Sequence, residues 1–84
     1  MTDIDVRTKV AEVINKVLVD SGRPAIELED EDILTETVGL DSLDLAVLVV
    51  GLEQSLGIDP FREGASPVPT FGELCKVYQD RLAK

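Results

Sequence analysis

Apolar residues recur at helical spacing near both ends of the chain, and each series predicts a helix with one face against a core. The first helix is predicted from about Asp3 to Asp20, and the last is predicted to begin near Thr70. The first stripe consists of Val6, Val10, Val13, Ile14, Val17 and Leu18, and the last of Phe71, Leu74, Cys75, Tyr78 and Leu82. No segment alternates apolar and polar residues over several positions, so no sheet is expected.

A middle helix is predicted from Ser42 to about Leu56, with Asp41 as its cap and Gly57 at its end. The long connection before it, about residues 21–40, carries apolar residues that are expected to fold back over the helices. A short helical turn is expected near Phe61. The pattern therefore predicts a single all-α domain over residues 1–84. Its expected architecture is a small four-helix bundle, with three longer helices, a short third helix and a long loop between helices one and two.

Composition narrows the range of functions. The chain has 84 residues with 17 acidic and 8 basic side chains, a net charge of −9, no histidine and one cysteine. Such a charge repels nucleic acid and anionic membranes and favours partners with basic patches. Without histidine, a nucleophile–base pair or a phosphate loop, nothing indicates an enzyme. No metal site is expected either, because the acidic residues 27–32 lack the spacing of a calcium loop.

The location is expected to be cytoplasmic. The longest apolar run, residues 45–52, is too short to span a bilayer, and the acidic first residues do not read as a signal peptide. Neither end carries a linker-like segment, so a free-standing protein is expected.

The start of the middle helix is the segment with most chemical content. Gly39 permits a tight turn, Asp41 caps the helix, and Ser42 is then its first residue, with an exposed hydroxyl. A phosphodiester on this oxygen would lie beside free backbone N–H groups at the positive end of the helix dipole. The neighbouring carboxylates of Asp41 and Asp44 oppose a phosphate locally, so we expect them to cap the helix or to face a partner.

Residues 39–44, which read Gly-Leu-Asp-Ser-Leu-Asp, resemble the attachment motif of acyl carrier proteins, in which Gly-x-Asp-Ser-Leu opens the second helix. Residues 57–60, Gly-Ile-Asp-Pro, are similar to the end of that helix in the family. Residues 70–74, Thr-Phe-Gly-Glu-Leu, are similar to the start of the family's last helix. The resemblance covers nearly the whole chain.

The resemblance implies that Ser42, flanked by Asp41 and Leu43, receives 4′-phosphopantetheine from coenzyme A through a phosphopantetheinyl transferase. The terminal thiol then carries an acyl group as a thioester, and the protein itself is not a catalyst. Enzymes that load, condense and tailor the cargo are expected to have basic or apolar patches. These patches are expected to contact the carrier at Asp41, Leu43, Asp44 and Glu53. The carrier is expected to be a monomer.

Residues 45–52 of the middle helix carry no charge, whereas fatty-acid carriers usually present more acids there. We therefore expect some exposed apolar surface and a specialised pathway whose partners offer apolar docking surfaces. The cargo class stays open among fatty acyl, polyketide and related secondary products. One alternative is an aminoacyl or peptidyl carrier, although Leu40 stands where such carriers more often have a second glycine. Another is an acidic interaction module that carries nothing covalently.

Overall fold

The computed structural model describes residues 3–62, 64 and 67–82 and contains three helices in this part of the chain. They are α1 (Asp3–Asp20), α2 (Ser42–Leu56) and α3 (Phe71–Leu82). Between the described residues the sole strand-like pairing is an isolated bridge from Ile33 to Thr70. The predicted all-α class is confirmed, and the predicted bounds of the first two helices agree with the structure.

The predicted short third helix is not found. Residues 60–62 and 64 form turns, so the described chain has three helices and not four. Asp59 opens the turn, because its side chain accepts the backbone N–H of Arg62 at 3.2 Å as an N-cap does. Gly64 then takes a positive φ of 108°, outside the right-handed helical region. The last residue of the predicted turn, Glu63, lies outside the described residues.

The core lies where α1 packs against both α2 and α3. All six residues of the predicted α1 stripe are buried. Four of the five predicted α3 residues are buried as well, while Leu82 is half-buried at the edge of the core. From α2 the buried residues are Leu48, Leu52 and Leu56, which lie on one side of the helix.

At Gly51, α2 approaches α1 closely. A Cβ atom at this position would lie 2.8 Å from Cγ1 of Val13, well inside ordinary carbon–carbon contact distance. Glycine therefore lets the two helices approach each other here, despite its low helix propensity.

Residues 21–41 connect α1 to α2 without a helix of their own. Leu34, Val38 and Leu40 are buried in the core. The backbone N–H groups of Leu34, Phe71 and Gly72 bond to the carbonyls of Pro69, Asp32 and Asp30, at 2.8, 3.0 and 3.0 Å. These bonds fasten the connection to the start of α3, and its last residues lead directly into the first turn of α2.

Candidate functional site

Leu40 anchors the turn before α2 to the core. This side chain is buried in the core, and its backbone N–H donates to the carbonyl of Leu34 at 2.9 Å. Gly39, just before it, has a φ of 85°, a conformation that favours glycine. The turn therefore presents Asp41 and Ser42 at the surface while the residue preceding them is anchored.

Asp41 and Asp44 form a reciprocal capping box at the start of α2. Oδ1 of Asp41 accepts the backbone N–H of Asp44 at 2.8 Å, and Oδ2 of Asp44 accepts the backbone N–H of Asp41 at 3.1 Å. Both carboxylates therefore act within the helix terminus, in agreement with the predicted capping role of Asp41.

Ser42 is the first residue of α2 and is exposed. Of the four N–H groups at the helix start, the capping box engages those of Asp41 and Asp44. Those of Ser42 and Leu43 have no acceptor within residues 3–62, 64 and 67–82. The exposed hydroxyl thus lies beside two available donors at the positive end of the helix.

Arg23 is a site residue that sequence reasoning missed. Its Nη2 donates to Oδ2 of Asp44 at 2.7 Å, its Nη1 to the carbonyl of Gly39 at 2.7 Å, and its Nε to Oγ of Ser21 at 2.8 Å. The guanidinium therefore joins the end of α1 to the turn before Ser42. The available signal was its isolation, since Arg23 is the only basic residue between Lys16 and Arg62.

Arg23 also changes the charge next to Ser42. Its hydrogen bond, supported by the backbone N–H of Asp41, lowers the pKa of Asp44 below the ordinary aspartate value. The carboxylate is thus ionised at neutral pH but paired with a cation. The expected repulsion between Asp44 and a phosphate on Ser42 is correspondingly reduced.

The remaining predicted docking residues lie apart from one another. Leu43 follows Ser42 with 73% of its surface exposed. Glu53 lies eleven residues after Ser42 along α2, roughly 16 Å from it by helical rise. Oε2 of Glu53 pairs with Nη1 of Arg62 at 3.4 Å. The structure therefore brings Asp41, Leu43 and Asp44 together around Ser42 and leaves Glu53 near the far end of the helix.

An apolar cleft of about 290 Å³ lies beside α2. Its walls include Leu45, Ala46 and Val49 of α2, together with Phe61 and Leu74. The uncharged run of the middle helix is thus divided between core, cleft and solvent. This confirms the expectation that part of its apolar surface is exposed.

Comparisons with known proteins agree with this geometry. A family model described as a phosphopantetheine attachment site matches residues 5–77. The chain is also 33% identical over 79 residues to an acyl carrier protein of Saccharopolyspora erythraea, covering 93% of this chain and 83% of that relative. The chain belongs to the acyl carrier protein family. No solved structure matches it.

The carrier's cofactor is accordingly 4′-phosphopantetheine, and the protein is a carrier and not an enzyme. The start of α2 fits a phosphate-linked group, because it offers an exposed hydroxyl beside two available N–H donors. In the part of the chain that the structure describes, no group of side chains is arranged to hold a metal ion. Nor does any helix there have the length and hydropathy needed to cross a membrane.

The thiol of Cys75 is unsuited to carry an acyl group as the thiol of the arm does. Cys75 is buried in α3, and desolvation raises the pKa of its thiol to about 11. At neutral pH it is therefore protonated and inaccessible, as expected for a packing residue.

Proposed function

We propose that this carrier holds acyl intermediates as thioesters on a 4′-phosphopantetheine arm attached to Oγ of Ser42. The observation that supports the proposal most is the exposure of Ser42 at the start of α2, beside two available N–H donors. Leu40 and Arg23 fix the turn that leads to it. The serine also lies inside the segment matched by the family model.

In the attachment reaction Ser42 contributes the nucleophile. Its oxygen forms a bond to the phosphorus of coenzyme A that carries the pantetheine, the P–O bond within the diphosphate breaks, and adenosine 3′,5′-bisphosphate departs. The hydroxyl proton passes to a base. The chain has no histidine to accept the proton, so we assign the base to the transferase. Asp41 and Asp44 hold the helix start in place through the capping box. When bound, the arm supplies the thiol that forms the thioester.

We assign the cargo to the acyl class, in fatty acid, polyketide or related biosynthesis. The support is the apolar cleft beside α2, which begins one turn after Ser42 at Leu45 and Ala46. Each methylene buried in such a site gains about 0.8 kcal/mol. The similarity to an acyl carrier protein points the same way. We also propose that the domain acts as a monomer in the cytoplasm and is served by loading, condensing and tailoring enzymes.

The proposal is tested by intact mass after incubation with coenzyme A and a phosphopantetheinyl transferase. Ser42→Ala removes the proposed nucleophile, and Ser55→Ala is a matched control, because Ser55 is also an exposed serine of α2. The wild type and Ser55→Ala should each gain one phosphopantetheinyl group, and Ser42→Ala none. Modification of Ser42→Ala, or no modification of the wild type by several transferases, would refute the assignment.

A further inference from the structure

Both acidic side chains of α2 are paired within the carrier. Asp44 bonds to Arg23 at 2.7 Å, and its side chain is only 14% exposed. Glu53 pairs with Arg62 at 3.4 Å. The two arginines come from different segments outside the helix: Arg23 precedes α2 and Arg62 follows it. The two carboxylates that α2 could offer to a basic partner are therefore already matched by cations of the same chain.

The exposed side of α2 is instead apolar. Leu43, Val47 and Val50 are 73%, 50% and 55% exposed, and they lie at positions i, i+4 and i+7 of the helix. This spacing places them on one face, here called the α2 stripe. Ala46 and Gln54, which are also exposed, extend this surface without adding charge. The arrangement is that of a helix that enters an apolar groove of a partner.

The α2 stripe is continuous with the attachment site, which indicates what covers it. Leu43 is the neighbour of Ser42, so an enzyme that reaches the Ser42 hydroxyl also meets the start of the stripe. A second copy of the chain is disfavoured because two partners of net charge −9 repel each other. An anionic bilayer is disfavoured for the same reason.

We propose that enzymes acting on this carrier bind α2 through an apolar groove that takes Val47 and Val50, without basic side chains directed at Asp44 or Glu53. This inference rests on the proposed function, since it assumes a partner that works at Ser42. The net charge and the exposed carboxylate of Asp41 still attract cationic partners over long range. The contact itself is apolar. Substitutions in the α2 stripe therefore distinguish this contact from the long-range charge attraction better than a change in salt concentration does.

The experiment measures kcat and KM for modification of the carrier by a transferase that accepts the wild type, with coenzyme A as donor and mass as readout. Val47→Glu and Val50→Glu place a charge in the stripe. Val19→Glu is the matched control, because Val19 is 55% exposed on α1, as Val50 is on α2. Glu53→Gln removes the carboxylate that pairs with Arg62, and Arg62→Gln removes the cation that Glu53 shares with Asp59. Thermal melting followed by circular dichroism verifies that every variant is folded.

A carboxylate forced into an apolar groove loses its hydration, so the two stripe variants should raise KM roughly tenfold or more. Val19→Glu, Glu53→Gln and Arg62→Gln should stay within roughly twofold of the wild type, as rim charges do in most interfaces. These results together would support apolar docking.

Other outcomes would overturn the proposal of apolar docking. Equal effects of Val50→Glu and Val19→Glu would show that the stripe is not a docking surface. A Glu53→Gln effect as large as that of Val50→Glu would show charge recognition instead. A wild-type dimer in sedimentation that Val50→Glu dissociates would assign the stripe to a second copy. A wild type that no transferase modifies would refute the proposed function and this inference with it, whereas the first three outcomes leave the proposed function intact.

Discussion

One added methyl group tests the packing that positions α2. In Gly51→Ala the new Cβ would lie 2.8 Å from Cγ1 of Val13, against an ordinary carbon–carbon separation of about 3.5–4.0 Å. Val13 cannot easily rotate away, because it is buried and a β-branched side chain in a helix has one strongly preferred rotamer. One of the two helices must therefore shift by several tenths of an ångström.

Two opposing contributions set the magnitude. Replacing glycine by alanine inside a helix gains about 1 kcal/mol, whereas overpacking a core costs about 1–3 kcal/mol. The net expectation is a loss of up to about 2 kcal/mol in the free energy of unfolding. In a Val13→Ala background the clash is removed, so the same substitution should be stabilising by about 1 kcal/mol.

Urea denaturation followed by circular dichroism measures all four members of this double-mutant cycle. Ser55→Ala, on an exposed position of the same helix, reports helix propensity without a packing change. If Gly51→Ala stabilised the wild type by as much as it stabilises the Val13→Ala variant, the close approach of α1 and α2 at this point would be wrong.

Three further predictions concern single side chains. Cys75 is buried with its pKa raised to about 11, so the native carrier without its phosphopantetheine arm should resist thiol alkylation at pH 8 and react only after denaturation; rapid native labelling of this form would contradict the burial. The hydroxyl of Tyr78 is buried without a hydrogen-bond partner among the described residues, so Tyr78→Phe should raise the free energy of unfolding by about 1 kcal/mol in urea titrations, and a loss of that size would reveal a partner. The pKa of Asp44 is lowered in the folded chain, so the stability this carboxylate adds is complete above pH of about 4 and is lost as pH falls through the lowered pKa. The stability difference between wild type and Asp44→Asn should therefore be constant from neutral pH to about pH 5 and shrink in more acid solution, and a difference that grew on acidification would contradict the Arg23 pairing.

The helices and the first turn of α2 could be predicted because their signals are local. The stripe of α1 and the cap at Asp41 depend on residues within a few positions of one another. The predicted short helix near Phe61 is not confirmed: Asp59 opens a turn there, but Gly64 takes a φ of 108°, outside the right-handed helical region. Glycine permits a positive φ without requiring one, so the sequence did not decide between a helical turn and a tight turn here.

The contacts around the site that join distant segments could not be predicted. Arg23 lies 21 residues before Asp44 in the chain, and their pairing depends on the path of the whole connection between α1 and α2. The apolar run of α2 gave no indication of which residues are buried, because every position in it is apolar. The structure separates buried Leu48 from exposed Val47 and Val50, and the inferred docking surface depends on that separation.

Locating the phosphopantetheine arm on the chain tests the assignment of Ser42 directly. The carrier is modified with coenzyme A and a transferase, digested, and fragmented in the mass spectrometer to identify which of its serines, Ser21, Ser42, Ser55 or Ser66, carries the phosphopantetheinyl mass. A single modification is expected, on Ser42. The same mass on any other serine would contradict the assignment of the site at the start of α2.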